Sequence, residues 1–169
     1  MCEQQFTTRR LNIPVPDVRE FQRSYETAVP ELPVDQVAAL VRRNAPWSEM
    51  ENLIDASAPR GFLLYSKNDA HPLMQEAGDD ADCLWYLMGN HVIAERMFRH
   101  DPRTLLYAPL RTVIWEDPAG DGWFTLEQPS MQFASLGIPE VTAVGVELDH
   151  KLAALLQSLD LDVPLLLQA

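Results

Sequence analysis

Residues 111–128 read RTVIWEDPAGDGWFTLEQ, and this stretch decides the fold class. On either side of DPAGDG (117–122) lies a run of β-branched, aromatic and aliphatic side chains, RTVIWE (111–116) and WFTLEQ (123–128). Such residues suit a pleated surface, and the Asp, Pro and Gly between them supply turn chemistry, so the pattern predicts an antiparallel hairpin. Upstream, Leu84 to Met88 form a short continuous apolar run ending at Gly89, which reads as a fully buried central strand. FLLYS after Gly61 reads as another strand. Residues 9–15, RRLNIPV, put Leu11, Ile13 and Val15 on one side of a further strand, which Pro14 and Pro16 assign to an edge. Downstream from Pro139, Val141, Val144, Leu148, Leu152, Leu155 and Leu159 recur every three or four residues and predict a long helix lying on the sheet.

Between these elements the helical signals are local. Asp17 and Glu20 cap a helix whose Val18, Phe21, Tyr25 and Val29 share a face up to Pro30. A second helix is expected from about residue 35 to 44, with Val34, Val37, Leu40 and Val41 turned inward. Ser48 and Glu51 read as a capping box for a third, with Met50, Leu53 and Ile54 buried. Asn90 caps a helix carrying Ile93 and Met97, and Asp101 with Pro102 opens a short turn through Leu106. Residues 67–82 read as a long acidic loop. The expectation is one α+β domain over residues 9–160, with a mainly antiparallel sheet of four or five strands, helices packed on it and a long C-terminal helix. A tail of residues 1–8 precedes it. An apolar tail, 161–169, follows and either docks locally or meets a second chain.

Composition narrows the partners. Thirteen basic against 25 acidic residues give a net charge of −12, and only Lys67 and Lys151 are lysines, so phosphate backbones and anionic lipid surfaces are repelled. Neither nucleic acid nor a membrane surface is an expected partner. The longest strongly apolar run, residues 83–88, is far short of the ~20 residues that a membrane-spanning helix needs. Cys2 and Cys83 can supply neither a four-cysteine metal site nor a disulfide framework. The opening MCEQQFTTRR lacks the apolar stretch of a secretory signal, so a cytoplasmic location is expected.

From about residue 83 to 159 the order of short motifs resembles a bacterial family known as domain of unknown function 302, DUF302. The residues that carry the resemblance are Gly89-Asn90 after a buried strand, Asp101-Pro102, Pro109-Leu110-Arg111, VIWED at 113–117, the Trp123 strand, Pro129, Gly137 and ELDHKLAALL in the last helix. The resemblance implies a compact sheet with helices packed on it, a homodimer, and no general biochemical activity. It also sets off two departures. The position after the Gly-Asn pair, commonly proline in such proteins, is His91, and the following helix holds Glu95 and His100 among aliphatic neighbours.

His91 and Glu95 are four apart and share a helix face, so they could form a hydrogen-bonded acid–base pair; a plain surface pair is the commoner outcome of such spacing. His100, two and a half turns beyond His91, falls on the opposite side, and His71 is the only other imidazole before the last helix, so no metal is expected. No cofactor motif occurs. Glu76, Asp79, Asp80 and Asp82 lack the ligand order of a calcium loop. Arg111 could hold a carboxylate ligand, but a structural partner such as Glu116, Glu127 or a helix C-terminus is the commoner outcome for such a residue. Of Tyr65, Trp85, Tyr86, Trp115 and Trp123, most are expected in the core, with the rest lining a pocket between sheet and helices. The expected function is small-molecule binding in that apolar pocket, with Tyr86, Arg111, Trp115 and Met97 as ligand-binding candidates. Two alternatives stand beside it: a cofactor-independent enzyme using His91 and Glu95, and a protein–protein assembly module.

Overall fold

In the computed structural model, which describes residues 3–168, the hairpin forms where the turn chemistry puts it. Strand β4 (Leu110–Glu116) pairs antiparallel with β5 (Gly122–Glu127), placing Val113 opposite Thr125 and Trp115 opposite Trp123. Asp117 holds the turn by accepting from the Ala119 and Asp121 amides, and Gly120 supplies the left-handed residue, with φ of 86°. With β1 (Arg10–Val15), β2 (Leu63–Asp69) and β3 (Cys83–Gly89) the sheet has the order β1-β5-β4-β3-β2, antiparallel throughout. The hairpin's first strand is therefore the middle of the sheet.

One face of this sheet is covered. Alternate residues, among them Ile13, Tyr86, Ile114 and Phe124, are buried against α1 (Val18–Ala28) and α7 (Pro139–Ser158). Tyr25 of α1 stands at its centre, its ring 5.1 Å from that of Tyr86 and 5.3 Å from that of Phe124, with its hydroxyl 3.1 Å from Thr112 Oγ1. Burial pushes its phenol far above the ordinary range, so it stays a neutral hydrogen-bonding group in the core. Asp17 caps α1 as expected, accepting from Glu20 N at 2.6 Å.

Five expectations need correction. Strand β3 is not buried on both faces: its burial alternates, leaving Trp85 and Leu87 partly exposed, because an antiparallel sheet needs cover on one side only. Residues 67–82 are not all loop. Strand β2 continues to Asp69 and a short helix α4 (His71–Gln75) follows, the segment being pinned by Arg19 on Asp69 and Asp82. Helix α2 (Val34–Arg42) buries no residue fully, and Val34 and Val41 are exposed; periodicity shows that a face is apolar but not how deeply it sinks. Helix α3 (Trp47–Ser57) begins at a Pro46 cap, before Ser48 could act, although Met50 and Ile54 are buried as expected. Finally, only Tyr86 of the five strand aromatics is fully buried.

The apolar tail docks on its own domain. Leu167 is fully buried and the Leu166 carbonyl accepts from Gln128 Nε2 at 3.3 Å, while Leu165 stays exposed. At the other end, Phe6 meets the Tyr107 ring edge-on at 6.0 Å.

Candidate functional site

Where β3 runs into α5 (His91–Phe98), the chain turns at Gly89-Asn90, and both residues have a local reason. A Cβ at Gly89 would stand 3.1 Å from Pro109 Cβ and 3.3 Å from Tyr65 Cε2, so glycine lets two neighbouring chain segments close on the strand end. Asn90 Oδ1 accepts from the Val92 and Ile93 amides, capping α5, while its amide nitrogen donates to the Gly61 carbonyl at 3.0 Å. These contacts shape a cavity of about 150 Å3 between the sheet end, α5 and the segment before β4. Phe62, Met88, Ile93, Met97, Phe133 and Leu148 make its walls apolar. Among the described residues no Asp, Glu, Lys or Arg lines it.

Its polar group is a pair. His91 Nδ1 lies 2.7 Å from the Tyr65 hydroxyl, and the two rings meet edge to face with centroids 4.8 Å apart. Burial lowers the pKa of the imidazole and raises that of the phenol far above the tyrosine range, so both are neutral at pH 7. The phenol needs an acceptor, and Nδ1 is the one at hand. We therefore assign the tautomer in which Tyr65 donates to Nδ1 and the proton of His91 sits on Nε2.

The residues expected to form a site divide across the molecule. His91 and Met97 line the cavity together. Glu95 does not orient His91; Arg99, one turn on, holds its carboxylate through two hydrogen bonds. Tyr65, 26 residues before His91 and carried by strand β2, takes that place and is a partner the sequence analysis did not identify. Tyr86 is a core residue whose hydroxyl donates to Glu26 at 2.9 Å, and it lines neither this cavity nor the outer groove. Arg111 and Trp115 sit on the opposite, uncovered face of the sheet, along a groove of about 1060 Å3. There Arg111 stacks over the Trp85 ring at 6.0 Å and forms no ion pair with Glu116 or Glu127 among the described residues, contrary to the structural pairing expected of it. Trp115 Nε1 donates to Thr125 Oγ1 at 2.8 Å and Trp123 Nε1 to Asp117 at 3.0 Å, which fixes two of the indoles on this face. The described residues include no group of three or more His, Cys, Asp or Glu side chains arranged to hold a metal ion.

Comparison with known proteins agrees with the motif order. The family described as "Domain of unknown function DUF302" matches residues 41–159. The chain belongs to the DUF302 family. A solved structure, that of an uncharacterized conserved DUF302 protein from Bacillus stearothermophilus, superposes with a TM-score of 0.60 at 14% identity, covering 89% of this chain and 96% of that one. At that identity the match speaks for the shared DUF302 fold. No curated protein matches the sequence. Within this DUF302 chain, Gly89, Asn90, Pro109 and Leu110, four of the residues that carry the family resemblance, line the small cavity. No helix among the described residues is long and apolar enough to cross a membrane.

Proposed function

We propose that this DUF302 chain is a small-molecule-binding domain whose ligand occupies the cavity beside His91. The observation that carries the reading is the cavity itself: about 150 Å3 of apolar space reached by one neutral polar pair. A hydrophobic cavity of about that volume suffices for a benzene-sized guest. The pocket is not the one that sequence periodicity suggested, since of the strand aromatics only Tyr65 reaches it and α7 contributes Leu148. Benzene added to the full-length protein is expected to raise the unfolding temperature in a saturable way, as any ligand selective for the native state must. Ala94→Leu, which fills the cavity from α5, should abolish that rise. A wild-type protein that benzene leaves unmoved would count against the reading. The alternative of acid–base catalysis attaches to the same imidazole, with Tyr65 rather than Glu95 as its hydrogen-bond partner.

A second observation supports the homodimer that family resemblance implies. Trp85, Leu87, Val113, Trp115 and Trp123 share the uncovered sheet face, an apolar surface at the centre of five strands. A second copy laid on this face would bury it through an isologous contact. Sedimentation should give twice the 19.1 kDa chain mass for wild type, and the chain mass for Val113→Asp, with the circular dichroism of the two alike. A monomeric wild type would refute the dimer while leaving the cavity reading untouched.

A further inference from the structure

Resting on the cavity reading above, we infer that the site selects a neutral, ring-sized molecule bearing one hydrogen-bond acceptor, such as a carbonyl, which receives the Nε2 proton of His91. Size comes first. About 150 Å3 is enough for a single six-membered ring with a small substituent. Charge is decided by the lining, where the only ionisable side chains among the described residues are His91 and Tyr65, both kept neutral by burial. An ion entering such a site would lose its hydration without recovering a counter-charge.

Polarity then follows from the hydrogen-bond count at the mouth. Asn90 is engaged at both ends of its amide, its oxygen accepting from the Val92 and Ile93 amides and one of its two N–H donors given to the Gly61 carbonyl. The Tyr65 proton is spent on His91 Nδ1. Within the His91–Tyr65 pair, what remains is the second imidazole nitrogen. With Nδ1 accepting, Nε2 must carry the proton, and it has no partner among the described residues. His91, which lines the apolar cavity, thus keeps an unspent donor that an acceptor on the guest would satisfy. Tyr65 acts here as a positioning residue, because it sets the tautomer without supplying the donor itself.

Three probes of seven non-hydrogen atoms separate the terms: cyclohexanone, methylenecyclohexane and cyclohexylammonium. Dissociation constants would be measured by NMR titration of the full-length protein, wild type and variants. Replacing His91 by leucine should weaken cyclohexanone about tenfold, the worth of a hydrogen bond whose acceptor is left buried and unpaired. Methylenecyclohexane, which has the shape but no acceptor, should change by less than about twofold. His91→Gln, which restores a donor, should recover most of the ketone affinity and also controls for loss of the Tyr65 contact. Cyclohexylammonium should bind wild type at least about tenfold more weakly than cyclohexanone. If His91→Leu affects the ketone and the alkene equally, or if the ammonium binds as well as the ketone, the assigned ligand class is overturned while the cavity remains a binding site. If none of the three binds wild type, the cavity reading falls as well.

Discussion

An Asp149→Ala variant should lose about 3 kcal/mol of folding free energy, a large share of the ~5–15 kcal/mol typical of a single domain. Asp149 lies in α7 at 4% exposure, and its carboxyl group is the acceptor for three donors from elsewhere in the chain. Gln128 Nε2 reaches it at 2.6 Å, Ser130 Oγ at 2.6 Å and Ser130 N at 2.9 Å. Gln128 is itself tied on both sides, accepting from Arg9 Nη1 at 2.8 Å and donating to the Leu166 carbonyl. The buried Asp149–Gln128 pair therefore joins the residue before β1, the end of β5, α6 (Pro129–Ala134), α7 and the terminal tail. Removing the acceptor leaves donors buried without partners, which costs more than the bond itself contributed. Urea unfolding would measure the loss, and faster amide exchange over residues 163–168 would show the tail released. Asp149→Asn, which keeps one oxygen but sets an amide against a donor, should fall between wild type and alanine. A loss below about 1 kcal/mol would mean that these bonds are dispensable.

Gly145→Leu should be comparably damaging, at about 3 kcal/mol, and should also remove ligand binding. A glycine inside a helix costs about 1 kcal/mol relative to alanine, so its presence in the middle of α7 needs a compensating contact. That contact is α6. A Cβ at position 145 would stand 3.0 Å from Ser130 Cα and 3.1 Å from Phe133 Cβ, the first of these being backbone that cannot rotate away. A leucine there must push α6 off α7. Phe133 of α6 and Leu148 of α7 are both cavity walls, so the same displacement opens the chamber. Benzene should then no longer raise the unfolding temperature of the folded variant. A variant that keeps both its stability and its benzene response would show that the two helices have slack.

The fate of individual residues shows why some of this was legible in the letters. Asp17, Asn90 and Asp101 were readable as helix caps because a cap is a contact over two or three residues, and each accepts the expected backbone amide. The pairing of Glu95 was misread for want of a comparison between neighbours. His91 and Arg99 are both four residues away, but arginine is always charged and presents a two-pronged donor, whereas His91 is neutral and already engaged by Tyr65. The indoles were misplaced for a different reason. Alternation along β3 and β4 says that Trp85 and Tyr86 face opposite ways, yet nothing in the alternation says which side receives the helices.

Local order, then, was written into the chain: the hairpin at 111–128, the capped helices, the long amphipathic α7 and the family kinship follow from contacts between residues a few positions apart or from motif order. The candidate site was not. Tyr65 meets His91 because β2 pairs with β3 so that Leu63 lies opposite Gly89, and Phe133 and Leu148 join them through the packing of α6 and α7. A cavity is the space left among side chains brought together by such long-range pairing. Its walls share no spacing along the chain, so only the tertiary structure could decide where it lies and which residues line it.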